Sequence, residues 1–359
     1  MPFIFYQNIL SIHQSAFIRN LAEKHEVTLV VPKEIDETRI AHGWLVPDFG
    51  KTKIIVNPSD AELHQLLSVK DAVHVFSGIH SYALPSKVFS FAVKKHLKIG
   101  VYSEPFNLRG WKGKLRFLKY WLLGLKYDRH INFILPTGNG GRLCYEKTGF
   151  TKSKIFDWAY FTENPKLSGT KKSSDIPQLL FIGSIDERKN ILPLVETCLA
   201  MDKPFVLTII GTGHLEQELK EKIKNSDKIR YIGAVPNTQI PQYLENADAL
   251  ILPSIFDGWG AVVNEALMCG TPVVASDNCG ASVLLQGGRG CVFSVRNNDL
   301  ERVLSDFIKE LPYSADKRKA IREWALQNIS GEAAANYFDE IVQNVYEKTS
   351  GRPVAPWMK

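Results

Sequence analysis

The chain is poor in the features that mark secreted, metal-bound or membrane-spanning proteins. Its five cysteines (Cys144, Cys198, Cys269, Cys279 and Cys291) are an odd number with no Cys-x-x-Cys, so neither a disulfide framework nor a zinc site is expected, and a reducing cytoplasm fits best. Nine histidines are scattered with no His or Cys partner at ligand spacing. No apolar run approaches the ~18–20 residues of a membrane span. Met1–Leu10 holds no basic stretch followed by a long apolar one, so no secretory leader is expected there.

What is present is an ordinary globular composition. The chain has 359 residues, 45% of them hydrophobic, enough for two cores. Short β-branched runs alternate with longer amphipathic stretches. Strands are expected at Phe3–Tyr6, Val27–Val31, Lys53–Val56, Ala72–Phe76, Lys98–Tyr102 and Ile131–Leu135. A second set is expected at Gln178–Ile182, Phe205–Ile210, Ile229–Ile232, Ala249–Leu252, Pro272–Ala275 and Cys291–Phe293. Helices are expected between them, among others over Gln14–His25, Ile191–Ala200, His214–Lys224 and Ala261–Cys269. Such alternation gives α/β architecture: parallel sheets covered on both faces. The polar stretch Asn164–Asp175 is the expected linker between two doubly wound domains, 1–165 and 175–325. The segment 331–359 holds a further helix, Gly331–Glu347, with no strand after it, so it could pack across either domain. No internal repeat of 20–50 residues is present.

The net charge of +6 is local. Arg109, Lys112, Lys114, Arg116, Lys119, Lys126 and Arg129 stand against Asp128 alone, which accounts for the whole excess and argues against a nucleic-acid partner. On a helix, Trp111, Leu115, Leu118, Leu122 and Leu125 form one stripe, with Lys112, Arg116 and Lys119 on the next. Two readings stand level. Arg109–Lys126 suits an anionic membrane surface, or it is a core helix with snorkelling cations.

In open parallel sheets, ligands sit beyond the carboxyl ends of the strands, so the loops after strands matter most. Gly183 to Asn190 places Arg188 and Lys189 at the start of a helix, where cations and free N–H groups make an anion site. Gly211-Thr212-Gly213 lets a ligand approach the backbone after another strand. Pro253-Ser254-Ile255-Phe256-Asp257-Gly258-Trp259-Gly260-Ala261 opens a helix that carries Glu265, eight residues beyond Asp257, and closes at Gly270. The N–H groups of Gly258 to Ala261 suit phosphate or sugar oxygens.

Residues 178–295 resemble the retaining glycosyltransferases of family 4, which have the GT-B fold: two doubly wound Rossmann-like domains facing a cleft. The family hallmark is Glu, seven residues, Glu, within a Pro-Ser…Glu-Gly-Phe-Gly…Glu-Ala…Gly-Pro-Val-Val-Ala stretch. Here Asp257, Trp259 and Thr271 stand in for the first Glu, the Phe and the residue before Pro. Ser184 stands where many members carry Arg. Residues 1–165 match only in layout.

The resemblance implies a donor site. Glu265 would bind the ribose hydroxyls, and Arg188 and Lys189, beside Gly183 and Gly211, would hold the diphosphate. Val235 and Pro236 belong to the stretch between base and ribose. Asp257 would face the transferred sugar, with the backbone of Gly258, Trp259, Gly260 and Ala261 reading its hydroxyls. The departing diphosphate gains charge, and something must stabilise it. Many unrelated transferases use a metal on Asp-x-Asp. This chain has none, so no metal or other cofactor is expected.

The first domain would receive a glycan or lipid-linked glycan acceptor in its loops Gln7–Ser15, Ser77–His80, Ser103–Asn107 and Thr137–Gly141. His13, His80 and Glu104 are the candidates for contacting the acceptor hydroxyl. The implied enzyme moves a hexosyl or N-acetylhexosaminyl group, from a UDP-sugar by family habit, in polysaccharide or glycoconjugate synthesis. It would be cytoplasmic, free or peripheral on the inner face of the membrane. The alternatives are a sugar-nucleotide epimerase of the same fold and a non-catalytic nucleotide-sugar-binding subunit.

Overall fold

The computed structural model describes residues 1–35, 46–108, 110–169, 171, 174–349 and 351–359. Arg109 of the basic segment and residues 170, 172 and 173 of the expected linker lie outside them. The chain divides into two compact units. One is built from the chain up to Glu163 together with Asn328–Lys359; the other is Asn164–Gln327.

The first unit holds six parallel strands: β1 Phe3–Tyr6, β2 Val27–Val31, β3 Lys53–Val56, β4 Val73–Ser77, β5 Lys98–Ser103 and β6 Phe133–Pro136. The second holds six more: β7 Gln178–Ile182, β8 Val206–Ile210, β9 Ile229–Gly233, β10 Ala249–Leu252, β11 Val273–Ser276 and β12 Gly290–Phe293. The sheet orders are β3-β2-β1-β4-β5-β6 and β12-β11-β10-β7-β8-β9. Both are the doubly wound order of a Rossmann-like domain, with the direction of strand addition reversing between β1 and β4 and between β7 and β10 while the strands stay parallel. Central strands read as unbroken apolar runs because both faces are covered. Phe3, Ile4, Phe5 and Tyr6 are all buried, as are all four residues of β10.

Two connections differ from the sequence expectation. The stretch Gln7–Ser15 is a loop only as far as Ser11, which caps a helix over Ile12–Ala22 by accepting from the His13 N–H at 3.3 Å. The stretch Asn164–Asp175 is tied to the second unit, where Glu245 accepts from the N–H groups of Ser168 (3.0 Å) and Gly169 (2.8 Å).

The helix Gly331–Glu347 packs against Ile12–Ala22 within the first unit. Its anchor is Phe338, fully buried, whose ring centroid lies 5.2 Å from Phe3, 5.3 Å from Phe17, 5.8 Å from Phe133 and 6.2 Å from Trp158. Edge-on aromatic pairs add about 0.5–1.5 kcal/mol each beyond area burial. The four-residue spacing of Tyr337 and Ile341 therefore continues an aromatic core that the first strand begins.

The helix Gly110–Tyr127 does not bury its stripe, against the core-helix reading. It docks through Gly113, Tyr120, Gly124 and Tyr127, with Tyr120 stacked on Phe106 at 3.7 Å between centroids. The Leu and Trp stripe faces outward: Trp111 and Leu125 are each 68% exposed, and Leu115, Leu118, Trp121 and Leu122 are exposed as well. Among the described residues no helix is long and apolar enough to cross a membrane.

Candidate active site

Two parallel strands that diverge in connection leave a crevice at their carboxyl ends. In the second unit those strands are β7 and β10, and the loops after them carry Gly183–Asn190 and Pro253–Gly260. The loops are joined: the Ile255 N–H donates to the Arg188 carbonyl at 2.9 Å. Lys189 Nζ donates to Asp257 Oδ2 at 2.5 Å, and Arg188 Nη1 lies 3.9 Å from the same oxygen. Lys189 and Asp257 are nearly buried, at 11% and 12% side-chain exposure, while Arg188 stays half open at 47%. The site therefore holds one enclosed ion pair and one cation facing solvent. That is how a pocket keeps a charge ready for an incoming anion.

The backbone around this pair is close-packed. Gly260 has φ +93°, and a Cβ there would lie 2.7 Å from Cys279 Sγ. A Cβ on Gly211 would fall 1.8 Å from the Gly183 carbonyl oxygen, so the turns after β7 and β8 touch. The Tyr231 hydroxyl donates to the Gly211 carbonyl at 3.0 Å, which ties β9 to the same cluster. Val235 is half-buried and Pro236 exposed in the loop beyond β9.

Trp259 does not present its side chain. The ring is buried and its Nε1 donates to Asn264 Oδ1 at 2.8 Å, so only the backbone of this residue faces the loop. Glu265 lies half-buried on the helix Ala261–Met268. Burial pushes its carboxyl up to about 7, and no cation or hydrogen-bond partner contacts it among the described residues. A desolvated carboxyl on the helix that follows β10 is a candidate functional position.

Two contributors were missed in the sequence. Asp186 accepts from the Lys189 N–H at 2.8 Å and from Ser184 Oγ at 2.6 Å, so it shapes the loop that aims both cations. Its signal was the Asp three residues before Lys189, the spacing of a side chain that bonds its own turn. The loop after β11 braces Asp257 from the other side: the Asp257 N–H donates to the Asn278 carbonyl and the Gly280 N–H to the Asp257 carbonyl, both at 3.1 Å. Nothing in the sequence signalled that brace.

In the first unit the carboxyl ends of β1, β4, β5 and β6 enclose a pocket of roughly 270 Å³. His13 and Glu104 both line it. The His13 ring stacks on Tyr160 at 4.7 Å, and the Tyr160 hydroxyl bonds Glu104. His80 is not brought to this pocket. Its ring packs on Tyr127, with Nε2 3.3 Å from the Tyr127 hydroxyl, and burial together with Lys119 and Lys126 holds its pKa below the usual imidazole range.

Residues 165–325 match the family model described as Glycosyl transferases group 1. The chain is 28% identical over 358 residues to a Campylobacter jejuni N,N'-diacetylbacillosaminyl-diphospho-undecaprenol alpha-1,3-N-acetylgalactosaminyltransferase, covering 90% of this chain and 93% of that one. It is 31% identical over 121 residues to the amylovoran biosynthesis glycosyltransferase AmsK of Erwinia amylovora, which spans only 30% of either chain. Among solved structures, Anabaena HepE in complex with UDP superposes with a TM-score of 0.71 over 96% of this chain and 100% of that one, at 12% identity. Residues 165–325 of this chain are thus similar to the group 1 glycosyltransferases, in a chain of GT-B architecture.

Proposed function

We infer that the chain transfers a sugar from a nucleoside-diphosphate sugar, UDP-linked, to a glycan or lipid-linked glycan acceptor, with retention of the anomeric configuration and without a metal ion. The observation that carries this reading is the meeting of Arg188, Lys189 and Asp257 at the β7–β10 switch point, with Glu265 eight residues beyond Asp257. Arg188 and Lys189 supply the positive charge that a departing diphosphate needs. Glu265 is placed on the helix that the Gly258–Gly260 turn opens, and it serves the ribose hydroxyls. Asp257, held by Lys189, faces the transferred sugar. The acceptor hydroxyl attacks from the face the diphosphate leaves, and the departing phosphate takes its proton.

The relatives support the substrate class. HepE has been crystallised with UDP-glucose, and the name of the Campylobacter relative describes an undecaprenol-linked acceptor. A lipid-linked acceptor also accounts for the outward stripe of Gly110–Tyr127, whose exposed Trp and Leu side chains alternate with Lys112, Lys114 and Lys126. Each cation near an anionic bilayer contributes about 1 kcal/mol, so these three give roughly 3 kcal/mol before any ring inserts.

The test is a thermal-shift panel of nucleoside diphosphates, followed by donor turnover in excess EDTA with NMR of the product anomer. Stabilisation by UDP, activity that survives chelation and a retained anomer are expected. Loss of activity on chelation with recovery in manganese removes the metal-independent reading, and no stabilisation by any nucleotide removes the donor site.

A further inference from the structure

The pocket at the carboxyl ends of β1, β4, β5 and β6 contains polar groups that have lost water and gained no protein partner. Gln7 follows β1 and is 1% exposed, and neither its Nε2 nor its Oε1 has a hydrogen bond. Gln14 is 4% exposed, and its Nε2 is unpartnered. Thr137 follows β6 and is 1% exposed. It occupies the N-cap of the helix Gly138–Lys147, yet its hydroxyl makes no capping bond and is unpartnered. Threonine at an N-cap ordinarily accepts from the first turn, so this hydroxyl is spare. All three residues line the same 270 Å³ space.

Leaving buried polar groups unpaired costs roughly 1–3 kcal/mol each. Three such residues on one pocket wall are a sign that a ligand satisfies them. The lining also says which kind. No lysine or arginine contributes to it among the described residues, and its carboxylate is Glu104, so a phosphate or uronate would enter without a counter-charge. The remaining wall mixes neutral polar groups, Ser11, Ser77, Ser81 and Ser103, with the rings of Tyr82, Phe106 and Tyr120. The Gln7 carboxamide offers a donor and an acceptor side by side. A pair of adjacent hydroxyls, each able to donate and accept, matches it, whereas an anion offers acceptors alone.

We propose that this pocket binds an uncharged sugar ring of the acceptor, with two adjacent hydroxyls read by the Gln7 carboxamide and further hydroxyls by Gln14 and Thr137. The proposal rests on the glycosyltransferase reading and deepens it: a charged part of the acceptor must lie outside the pocket. Gln7, Gln14 and Thr137 are specificity residues, and none of them belongs to the donor site.

Saturation-transfer NMR with UDP present tests this, using methyl glycosides of glucose, galactose and mannose against methyl glucuronide, whose charge is carried on the ring itself. The wild type should bind at least one neutral glycoside and not the glucuronide. Gln7→Met and Thr137→Val should weaken that binding on the order of tenfold each, while Thr137→Ser keeps it. Their melting temperatures should not fall, because removing an unpaired polar atom from a closed wall relieves a cost. UDP affinity should stay unchanged in every variant. Wild type that binds no neutral glycoside, or binds the glucuronide as well, overturns the assignment. So do variants that bind normally, or ones that melt markedly earlier, since the amide and hydroxyl would then serve the fold. Intact UDP binding beside any of these failures leaves the donor site standing, whereas absent UDP binding defeats the underlying reading.

Discussion

Replacing Glu265 with Gln separates the cost of burying this carboxyl from its use in binding. Its folded-state pKa is about 7 because of burial, against 4.5 ordinarily. Between those values the folded chain holds the proton more tightly than the unfolded chain. The stability this gives is complete below pH 4.5, falls as pH rises through the window and is gone above 7. At about 1.4 kcal/mol per unit, the ionised form at pH 8 costs up to about 3 kcal/mol. Gln cannot ionise. Glu265→Gln should therefore be nearly neutral at pH 5 and raise stability by up to about 3 kcal/mol at pH 8, measured by urea unfolding without nucleotide. Binding should move the other way. A carboxylate accepts from two ribose hydroxyls, so UDP should bind wild type more tightly at pH 8 than at pH 6, beyond any change seen in the variant. The variant carries the same ligand, so titration of the nucleotide's own phosphate cancels in the comparison. Equal pH dependence of stability in the two proteins would refute the buried-carboxyl argument. Equal UDP affinity at pH 8 would refute its role at the ribose.

Lys189→Ala leaves Asp257 with Arg188 alone, 3.9 Å away, in a nearly closed site, at a cost of about 2 kcal/mol in stability; the double change with Asp257→Ala should recover most of that in calorimetry yet leave turnover abolished. If the double variant is no more stable than the single one, the pair is not coupled. Changing Lys112, Lys114 and Lys126 to Glu should end sedimentation with anionic vesicles at low salt and leave UDP binding intact; wild type that ignores such vesicles removes the membrane role. Arg116 and Lys119 are poorer targets, because they already donate to the carbonyls of Asn107 and His80. Phe338→Ala should cost about 3–5 kcal/mol, read as an earlier chemical-denaturation midpoint, because its ring is shared by five aromatic partners, Phe3, Phe5, Phe17, Phe133 and Trp158.

The central strands among the described residues were legible because buried parallel strands are written as short apolar runs, while edge strands such as β3 and β9, exposed on one side, were marked by their β-branched residues. The site was legible for a related reason. Ligand groups in a doubly wound sheet follow directly after strands, so Arg188 and Lys189 are local to β7, and Asp257 to β10. What could not be read were relations set by tertiary packing. Lys189 and Asp257 stand 68 residues apart, and no local pattern says that one neutralises the other. His80 shares a loop type with His13, yet its ring turns to Tyr127 because the helix Gly110–Tyr127 brings an aromatic partner there.

That helix also shows why periodicity has a limit. The spacing of Trp111, Leu115, Leu118, Leu122 and Leu125 predicts an apolar stripe correctly, and by itself would turn that stripe inward. The helix instead docks on Gly113 and Gly124, which lack the side chains that would hold it off, and on Tyr120, which fills the space beside Phe106. A narrow face of glycine and tyrosine carries little hydrophobic signal, so the stripe with the stronger pattern is the one left facing outward. The same choice of face makes Tyr120 a wall of the pocket below and the Trp and Leu stripe a surface above. One helix thereby links the space proposed for a neutral sugar to the surface proposed for a lipid.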